Sequence, residues 1–237
     1  MTPVDLLAFG PHPDDIEIGI GGTIARHAAL GFSVGLCDLT AGEMGSNGTV
    51  EERAKEAEAA RAVLGAAWRT NLHLPDRGIG TDQSHHRAAA ELVRQVRPRA
   101  VLIPYWSDRH PDHVAASTML TEAVFNAGLR RFPMSGDAFK PEPICYYFIN
   151  ETAEPSFVID VSDQYETKRK ALACYASQFN PTSADAVRTR LTSARFPQMI
   201  ESRDALFGAQ AGVAFAEGVV VRTRIVRASL FPDGDRR

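Results

Sequence analysis

The amino-acid sequence predicts an α/β fold with a doubly wound, mainly parallel sheet. Up to residue 132, apolar segments of strand length alternate with helical segments, which is the pattern of successive βαβ units. Two segments rich in histidine and aspartate each follow a predicted strand directly, and open parallel sheets bind ligands at that position. With 237 residues, 44% of them hydrophobic, the chain is long enough to bury one large core.

The predicted core consists of four strand–helix units. Its strands are expected at residues 4–9, 33–40, 70–75 and 99–106. The helices that follow them are expected at residues 23–31, 49–65, 86–98 and 114–129. The second helix has the clearest ends, because Thr49 is a good N-cap, acidic residues fill the first turn and Gly65 follows the last turn.

The pattern changes from residue 133 onward. Proline and turn-forming residues come first, and the later elements are predicted as strands at 144–149, 156–162 and 217–226 and helices at 165–179 and 198–208. We expect a single domain over residues 1–237. Residues 1–132 would form the βαβ core that carries the site, and residues 133–237 an additional layer that closes over the active-site face and completes the pocket.

Composition and charge exclude several classes of partner. The 26 basic and 29 acidic residues leave a formal charge of −3, without the basic excess that nucleic-acid binding needs. No apolar run approaches the roughly 20 residues that span a bilayer, and the N-terminus lacks the features of a secretory signal. We therefore expect a cytoplasmic protein. The three cysteines have no zinc-finger spacing and are interpreted as buried structural thiols.

Two motifs carry the candidate chemistry. "PHPDD" (11–15) follows the first predicted strand, and "RHPDH" (109–113) follows the fourth. His12, Asp15 and His113 together would supply the three ligands that a catalytic zinc site requires, with the fourth position open. Taken alone, "HPDD" could be a proline turn with Asp15 capping the next helix. The second motif at the same edge of the sheet favours the metal site.

The remaining polar residues of these motifs are predicted to act on the reaction. Asp14, beside a ligand but not itself one, is suited to be the general base that takes a proton from water. His110 would face the substrate and stabilise an oxyanion or protonate a leaving amine. Asp112 would orient His110 or His113 by a hydrogen bond. The other four histidines are interpreted as structural or solvated.

Two glycine-rich segments border the predicted crevice. "IGIGG" (18–22) lacks the full dinucleotide fingerprint, so its glycines are expected to permit tight turning and close packing of helix and strand. "TAGEMGSNGTVEER" (40–53) contains Glu43 and Arg53, which we consider for substrate binding. Arg53 would either bind a carboxylate or sugar hydroxyls or form a surface salt bridge. Arg109 and Lys140 are alternative carboxylate-binding residues.

These motifs, with "IESRDALFGAQAGVAFAEG" (200–218), resemble the LmbE-like or PIG-L family of zinc-dependent N-acetylglucosamine deacetylases over nearly the whole chain. The chain most resembles the members in bacillithiol biosynthesis that act on N-acetylglucosaminyl malate. The resemblance implies a Rossmann-like sheet, Zn²⁺ or Fe²⁺ as cofactor, and a homo-oligomer, often a hexamer. It assigns the metal to His12, Asp15 and His113, with Asp14 as base, and it assigns substrate binding to Arg53.

The chain differs from many members of this family in the aromatic residue near the stretch 194–204. Many relatives have a tyrosine there, whereas the nearest aromatic here is Phe196, which has no hydroxyl. The resulting hypothesis is hydrolysis of the acetamide of N-acetylglucosaminyl malate. The alternatives are an inositol glycoside or a chitooligosaccharide as substrate, a phosphoesterase with two metals, and a non-catalytic metal- or sugar-binding module.

Overall fold

The computed structural model describes residues 1–226. Seven strands form one sheet in the order β3-β2-β1-β4-β5-β7-β6. They are β1 Leu6–Gly10, β2 Val34–Asp38, β3 Trp68–Asn71, β4 Ala100–Pro104, β5 Ile144–Tyr147, β6 Phe157–Asp160 and β7 Ala216–Val220. Pairing from β3 through β5 is parallel, and β7 runs antiparallel to both of its neighbours. The predicted α/β class with a mainly parallel sheet is confirmed.

Seven α-helices accompany the sheet in the described part of the chain. They are α1 Asp15–Ala29, α2 Val50–Leu64, α3 Gln83–Val96, α4 Pro111–Ala127, α5 Tyr165–Ala173, α6 Ala176–Phe179 and α7 Arg195–Ala211. Helix α2 has the predicted ends, because the Thr49 hydroxyl accepts a hydrogen bond from the Glu52 amide at 3.1 Å and Gly65 adopts φ 73°. Helix α1 begins eight residues before the predicted start at residue 23, so its first turn already contains Asp15.

The core lies on both faces of the sheet. Along β1, Leu6 and Ala8 belong to one buried cluster with residues of α1, α2 and α5, whereas Leu7 and Phe9 belong to another with residues of α3 and α4. Alternate side chains of a strand point to opposite faces, so helices cover β1 on both sides. Within residues 1–226, no helix combines the length and the apolar character needed to cross a membrane.

The C-terminal half extends the sheet as well as covering it. Strands β5, β7 and β6 continue the sheet beyond β4, while residues between 178 and 196 line the cleft described below. The single helix predicted over 165–179 is two helices, because Tyr175 at φ −85° and ψ 57° interrupts it. The predicted strand 217–226 ends at Val220, and residues 227–237 of this half lie outside the described residues.

A break within α1 explains its glycines. Ile20 has non-helical angles, φ −142° and ψ 24°, so the helix starts again after it. The Gly22 and Thr23 amides, free at this second start, donate to the Glu217 carboxylate at 2.9 and 2.6 Å. A Cβ at Gly19 would overlap the ring of Tyr147, so helix and strand pack closely at this glycine, as the sequence predicts.

A buried charge cluster joins this break to the C-terminal half. The Lys168 ammonium of α5 contacts Glu217 at 2.6 Å and Asp204 of α7 at 2.7 Å, and all three side chains are fully buried. Asp204 also accepts hydrogen bonds from Arg203 and Tyr165. Elements α1, α5, α7 and β7 are therefore held together by one network of paired charges.

Candidate active site

The candidate site lies where β1 and β4 end side by side. The helix that follows β1 and the helix that follows β4 both start here, which is the position at which doubly wound sheets bind ligands. A cleft of about 300 Å³ opens at this point. Its lining includes both predicted motifs, the loop after β2, the loop after β3, and residues of the C-terminal half.

His12, Asp15 and His113 converge as predicted. Asp15 Oδ2 lies 3.0 Å from His12 Nδ1 and 3.3 Å from His113 Nε2. One donor atom from each residue falls within 4.8 Å of the others, a spacing that suits a single metal ion. The three residues come from the bend after β1, the first turn of α1 and the first turn of α4.

In both His12 and His113, the ring nitrogen that points away from Asp15 lies close to a carboxylate oxygen. His113 Nδ1 lies 3.1 Å from Asp108 Oδ1. His12 Nε2 lies 3.2 Å from Asp76 Oδ1 and 3.3 Å from Asp112 Oδ2. A metal-binding histidine commonly gives its second ring nitrogen to a carboxylate, which fixes the tautomer and the ring orientation. The inner nitrogens are thereby left facing Asp15.

A second group, His12, His110 and Asp112, has donor atoms within the same 4.8 Å. Its carboxylate is already engaged, because Asp112 accepts hydrogen bonds from the Arg77 amide at 3.0 Å and the Arg77 guanidinium at 2.8 Å. This group is better described as the hydrogen-bonded surroundings of His12. The donor set with Asp15 is the better metal site.

The electrostatics of the site favour positive charge at the point of convergence. Burial disfavours the charged imidazole of His113, but Asp15 and Asp108 raise its pKa to about 9. The pKa of His12 is likewise raised, against burial, by Asp112, Asp15 and Asp76. The pKa of Asp15 is lowered by the two histidines despite its burial. A cation at this point would meet the same carboxylates that favour these protons.

Asp14 lies in the same cleft but outside the ligand group. Its backbone adopts φ 109°, which is unusual for a residue with a side chain, and its carboxylate lies 3.5 Å from the Arg53 guanidinium. Burial raises the pKa of Asp14 to about 7, and Arg53 opposes that rise. A carboxylate that exchanges its proton near neutral pH is suited to general base catalysis.

His110 caps α4 and faces the cleft. Its Nδ1 accepts a hydrogen bond from the Asp112 amide at 3.2 Å, and its ring stacks on His113 with centroids 4.7 Å apart. Burial, together with His113 and His12, lowers the pKa of His110. A neutral imidazole that accepts at Nδ1 carries its proton on Nε2, so His110 can donate a hydrogen bond through Nε2.

The prediction of which side chain the Asp112 carboxylate contacts is wrong. The sequence predicts a hydrogen bond from its carboxylate to His110 or His113, but that carboxylate contacts His12 and Arg77 instead. It is the Asp112 backbone amide that contacts His110. The helix start places the Asp112 side chain on the side of the loop after β3, and the residue that bonds His113 is Asp108.

The four residues predicted to bind substrate occupy different places. Arg109 is exposed and lines the cleft, and Arg53 lines it while being buried. Glu43 is exposed and accepts a hydrogen bond from the Asp76 amide at 2.7 Å. Lys140 pairs with Glu142 at an exposed position that is not among the described residues lining the cleft. Phe196 is buried in the wall of the cleft.

Three residues that support the candidate metal ligands were not predicted from the sequence. Asp76 follows β3, and Asp108 follows β4 within the segment 107–113, so both had the signal of an acid after a strand. Asn150 follows β5 and donates to Asp108 through its backbone amide at 2.9 Å and its side chain at 3.0 Å. Asn150 had no comparable signal.

The chain is similar in sequence to a known protein family and to individual proteins of known activity. A family model described as PIG-L, GlcNAc-PI de-N-acetylase, matches residues 7–124. The diacetylchitobiose deacetylase of Thermococcus kodakarensis is 32% identical over an alignment that covers 73% of this chain and 70% of that protein. The 1D-myo-inositol 2-acetamido-2-deoxy-alpha-D-glucopyranoside deacetylase of Rhodococcus jostii is 26% identical and is aligned over 92% of this chain and 96% of its own length.

A solved structure matches over the full fold. The crystal structure of a conserved protein from Thermus thermophilus is 38% identical and superimposes with a TM-score of 0.88, covering 97% of this chain and 99% of that chain. The similarity therefore extends from the two motifs through the C-terminal strands. Sequence and structure agree that this protein belongs to the PIG-L family of de-N-acetylases.

Proposed function

We propose that this protein is a zinc-dependent deacetylase that hydrolyses the acetamide of an N-acetylglucosamine glycoside. The observation that carries the proposal is the convergence of His12, Asp15 and His113, each histidine held from behind by a carboxylate, with Asp14 in the same cleft. The relatives named above are deacetylases of N-acetylated amino sugars, which supports the same reaction here.

The donor set fits a catalytic metal. Two imidazole nitrogens and one carboxylate oxygen are typical ligands of catalytic zinc and leave a coordination position free, and Fe²⁺ accepts similar ligands. His12, Asp15 and His113 would hold the ion. The chemistry supplied by bound Zn²⁺ is Lewis acidity, which lowers the pKa of water and polarises a carbonyl oxygen.

The chain's own residues would then act on protons and charge. Asp14 would take the proton from the attacking water, because it is the cleft carboxylate outside the ligand group whose pKa lies near 7. His110 would donate through Nε2 to the oxygen that becomes negative as the acetyl carbon becomes tetrahedral. The acetamide C–N bond then breaks as the nitrogen takes the proton held by Asp14, giving acetate and the free amine of the sugar.

We propose N-acetylglucosaminyl malate as the specific substrate. The exposed guanidinium of Arg109 at the cleft is suited to a malate carboxylate. Lys140 suits this role less well, because it pairs with Glu142 outside the cleft lining. The cytoplasmic location and a homo-oligomer, such as a hexamer, stay predictions.

The decisive experiment measures acetate release from three substrates with the zinc-loaded protein. The substrates are N-acetylglucosaminyl malate, the N-acetylglucosaminyl inositol glycoside, and diacetylchitobiose. We expect the largest kcat/KM with the malate conjugate. Release only from another member of the panel would keep the deacetylase and reject malate, whereas tight binding without acetate release from any of them would indicate a non-catalytic module. If the metal content of the protein were two ions per chain, the phosphoesterase would be favoured.

The support of His113 by Asp108 leads to a prediction about metal affinity. Replacing Asp108 with asparagine removes the negative charge behind His113 Nδ1, and we expect the affinity for zinc to fall about 10- to 100-fold. Competition with a chromophoric chelator measures this directly. Asp137→Asn, at an exposed position, is the control and should bind zinc as the unaltered protein does. Equal affinities for both variants would remove Asp108 from the metal site.

A further inference from the structure

The exposed charges that line the cleft are all positive. In the part of the cleft formed by residues 1–226, the exposed charged residues are Arg77, Arg109 and Arg190. The carboxylates of the lining are buried or partly buried, and they belong to Asp14, Asp15 and Asp76. The chain as a whole has a formal charge of −3, so this group of arginines departs from the charge of the protein. Exposed charges of one sign around a cleft favour a ligand that carries the opposite charge there.

Arg190 differs from Arg77 in what its guanidinium contacts. Arg77 Nη1 is paired with Asp112 at 2.8 Å. Arg190 forms no ion pair with a carboxylate of the described residues, and its Nη2 donates to Met199 Sδ at 3.2 Å. A thioether sulfur is a weak acceptor, so this contact leaves the guanidinium able to bind a carboxylate through two parallel hydrogen bonds.

The ring of Phe196 supports this guanidinium. The guanidinium carbon of Arg190 lies 5.4 Å from the centre of the ring, and Phe196 is itself buried in the wall of the cleft. Arginine is attracted to the face of an aromatic ring, and the N–H groups at the edge of its plane stay free for a ligand. Phe196 lacks the hydroxyl of the tyrosine that many relatives have near this position. In this chain the ring instead helps to place a cation at the cleft.

The turn that carries Arg190 is held by two sets of hydrogen bonds. Thr189 and Thr192 flank Arg190, and the Thr192 hydroxyl accepts from the Thr189 amide at 2.9 Å and donates to the Thr189 carbonyl at 3.0 Å. The side chain of Asn47, buried in the loop after β2, donates to the Val187 carbonyl at 2.9 Å and accepts from the Val187 amide at 2.8 Å. Because the backbone around Arg190 is fixed before a ligand binds, less conformational entropy is lost on binding.

We infer that Arg190 determines specificity by binding a carboxylate of the substrate's aglycone, so that the enzyme selects glycosides with an acidic aglycone. This inference rests on the function proposed above, in which Arg109 binds a malate carboxylate, and it assigns a second cation to the second carboxylate. An aglycone carboxylate takes no part in acetamide hydrolysis, so the contact is made equally in the ground and transition states. Its loss therefore raises KM and leaves kcat nearly unchanged.

The kinetic test uses N-acetylglucosaminyl malate and its dimethyl ester, which has the same skeleton without the negative charges. For Arg190→Gln we expect KM to rise about 10-fold with the diacid, the effect of losing one charge-assisted hydrogen bond, and less than about twofold with the ester. The value of kcat should stay nearly constant with both. Equal changes in KM with the diacid and the ester, or no change with either, would overturn the inference.

Arg188→Gln is the matched control. Arg188 lies two residues before Arg190, is also exposed, and is not among the described residues that line the cleft. The substitution changes the net charge of the protein by the same amount, and KM for the diacid should stay near that of the unaltered enzyme. A rise in KM equal to that of Arg190→Gln would show a general effect of net charge and would also overturn the inference.

Calorimetric binding distinguishes this inference from the proposed reaction. Zinc-loaded Asp14→Asn, with and without Arg190→Gln, is titrated with the diacid and with the ester. We expect the diacid to bind at least about 10-fold more tightly than the ester, and Arg190→Gln to weaken only the diacid, by about 10-fold. That result would support the inference even if the unaltered protein released no acetate, which would reject the proposed reaction alone. Acetate release without tighter binding of the diacid would keep the deacetylase and overturn the inference.

Discussion

Replacing Asp14 with asparagine is expected to lower kcat about 10²- to 10⁴-fold, the usual contribution of a general base. Asparagine has nearly the same shape but cannot take a proton from water. Because Asp14 lies outside the group formed by His12, Asp15 and His113, the variant should keep its zinc. The measurement is acetate release over a range of substrate concentrations, with zinc determined on the same preparation.

The matched comparison is Asp15→Asn, which alters the neighbouring carboxylate. Asp15 belongs to the group proposed to hold the metal, so its loss should release zinc together with activity. The two adjacent carboxylates are thus separated by metal content. A kcat near that of the unaltered enzyme in Asp14→Asn would show that another group acts as the base.

Replacing Lys168 with methionine should destabilise the fold by about 3 to 5 kcal/mol, because it leaves Glu217 buried without a cation and Asp204 with Arg203 alone. Methionine keeps the length of the side chain, so the loss reports charge more than volume. Chemical denaturation followed by circular dichroism measures the change. The control, Arg169→Ala on the same helix, removes a half-exposed arginine paired with Glu201, and its effect should stay below about 1 kcal/mol. Comparable losses in both variants would contradict a special role for the buried cluster.

The first half of the fold could be predicted from the sequence because the residues that determine its elements lie close together in the chain. Helix α2 has a cap, an acidic first turn and a terminal glycine within one short segment, and the structure ends it at the same places. The start of α1 was missed because residues 18–22 contain three glycines, which disfavour a helix. Packing of Gly19 against Tyr147 and capping by Glu217 stabilise it, and neither partner lies nearby in the sequence.

The candidate site could likewise be predicted only in part from the sequence. The convergence of His12, Asp15 and His113 could be predicted because each motif follows its own strand, and parallel strands bring their carboxyl ends together. The partners of the ligands depend on side-chain direction and on loops from elsewhere in the sheet. For that reason Asp112 was paired with the wrong histidine, and Asp76 and Asn150 were not identified.

The break in α1 affects whether this candidate catalytic motif can be transferred to another protein. His12, Asp14, Asp15 and His113 all lie in the first half of the chain, so a graft of that half onto another scaffold would look complete. Yet the second part of the helix that carries Asp15 begins at amides that donate to Glu217 of β7, and Glu217 is itself paired with Lys168. We expect such a graft to lose the alignment of α1. We therefore expect the motif to keep its structure only together with Glu217 and Lys168.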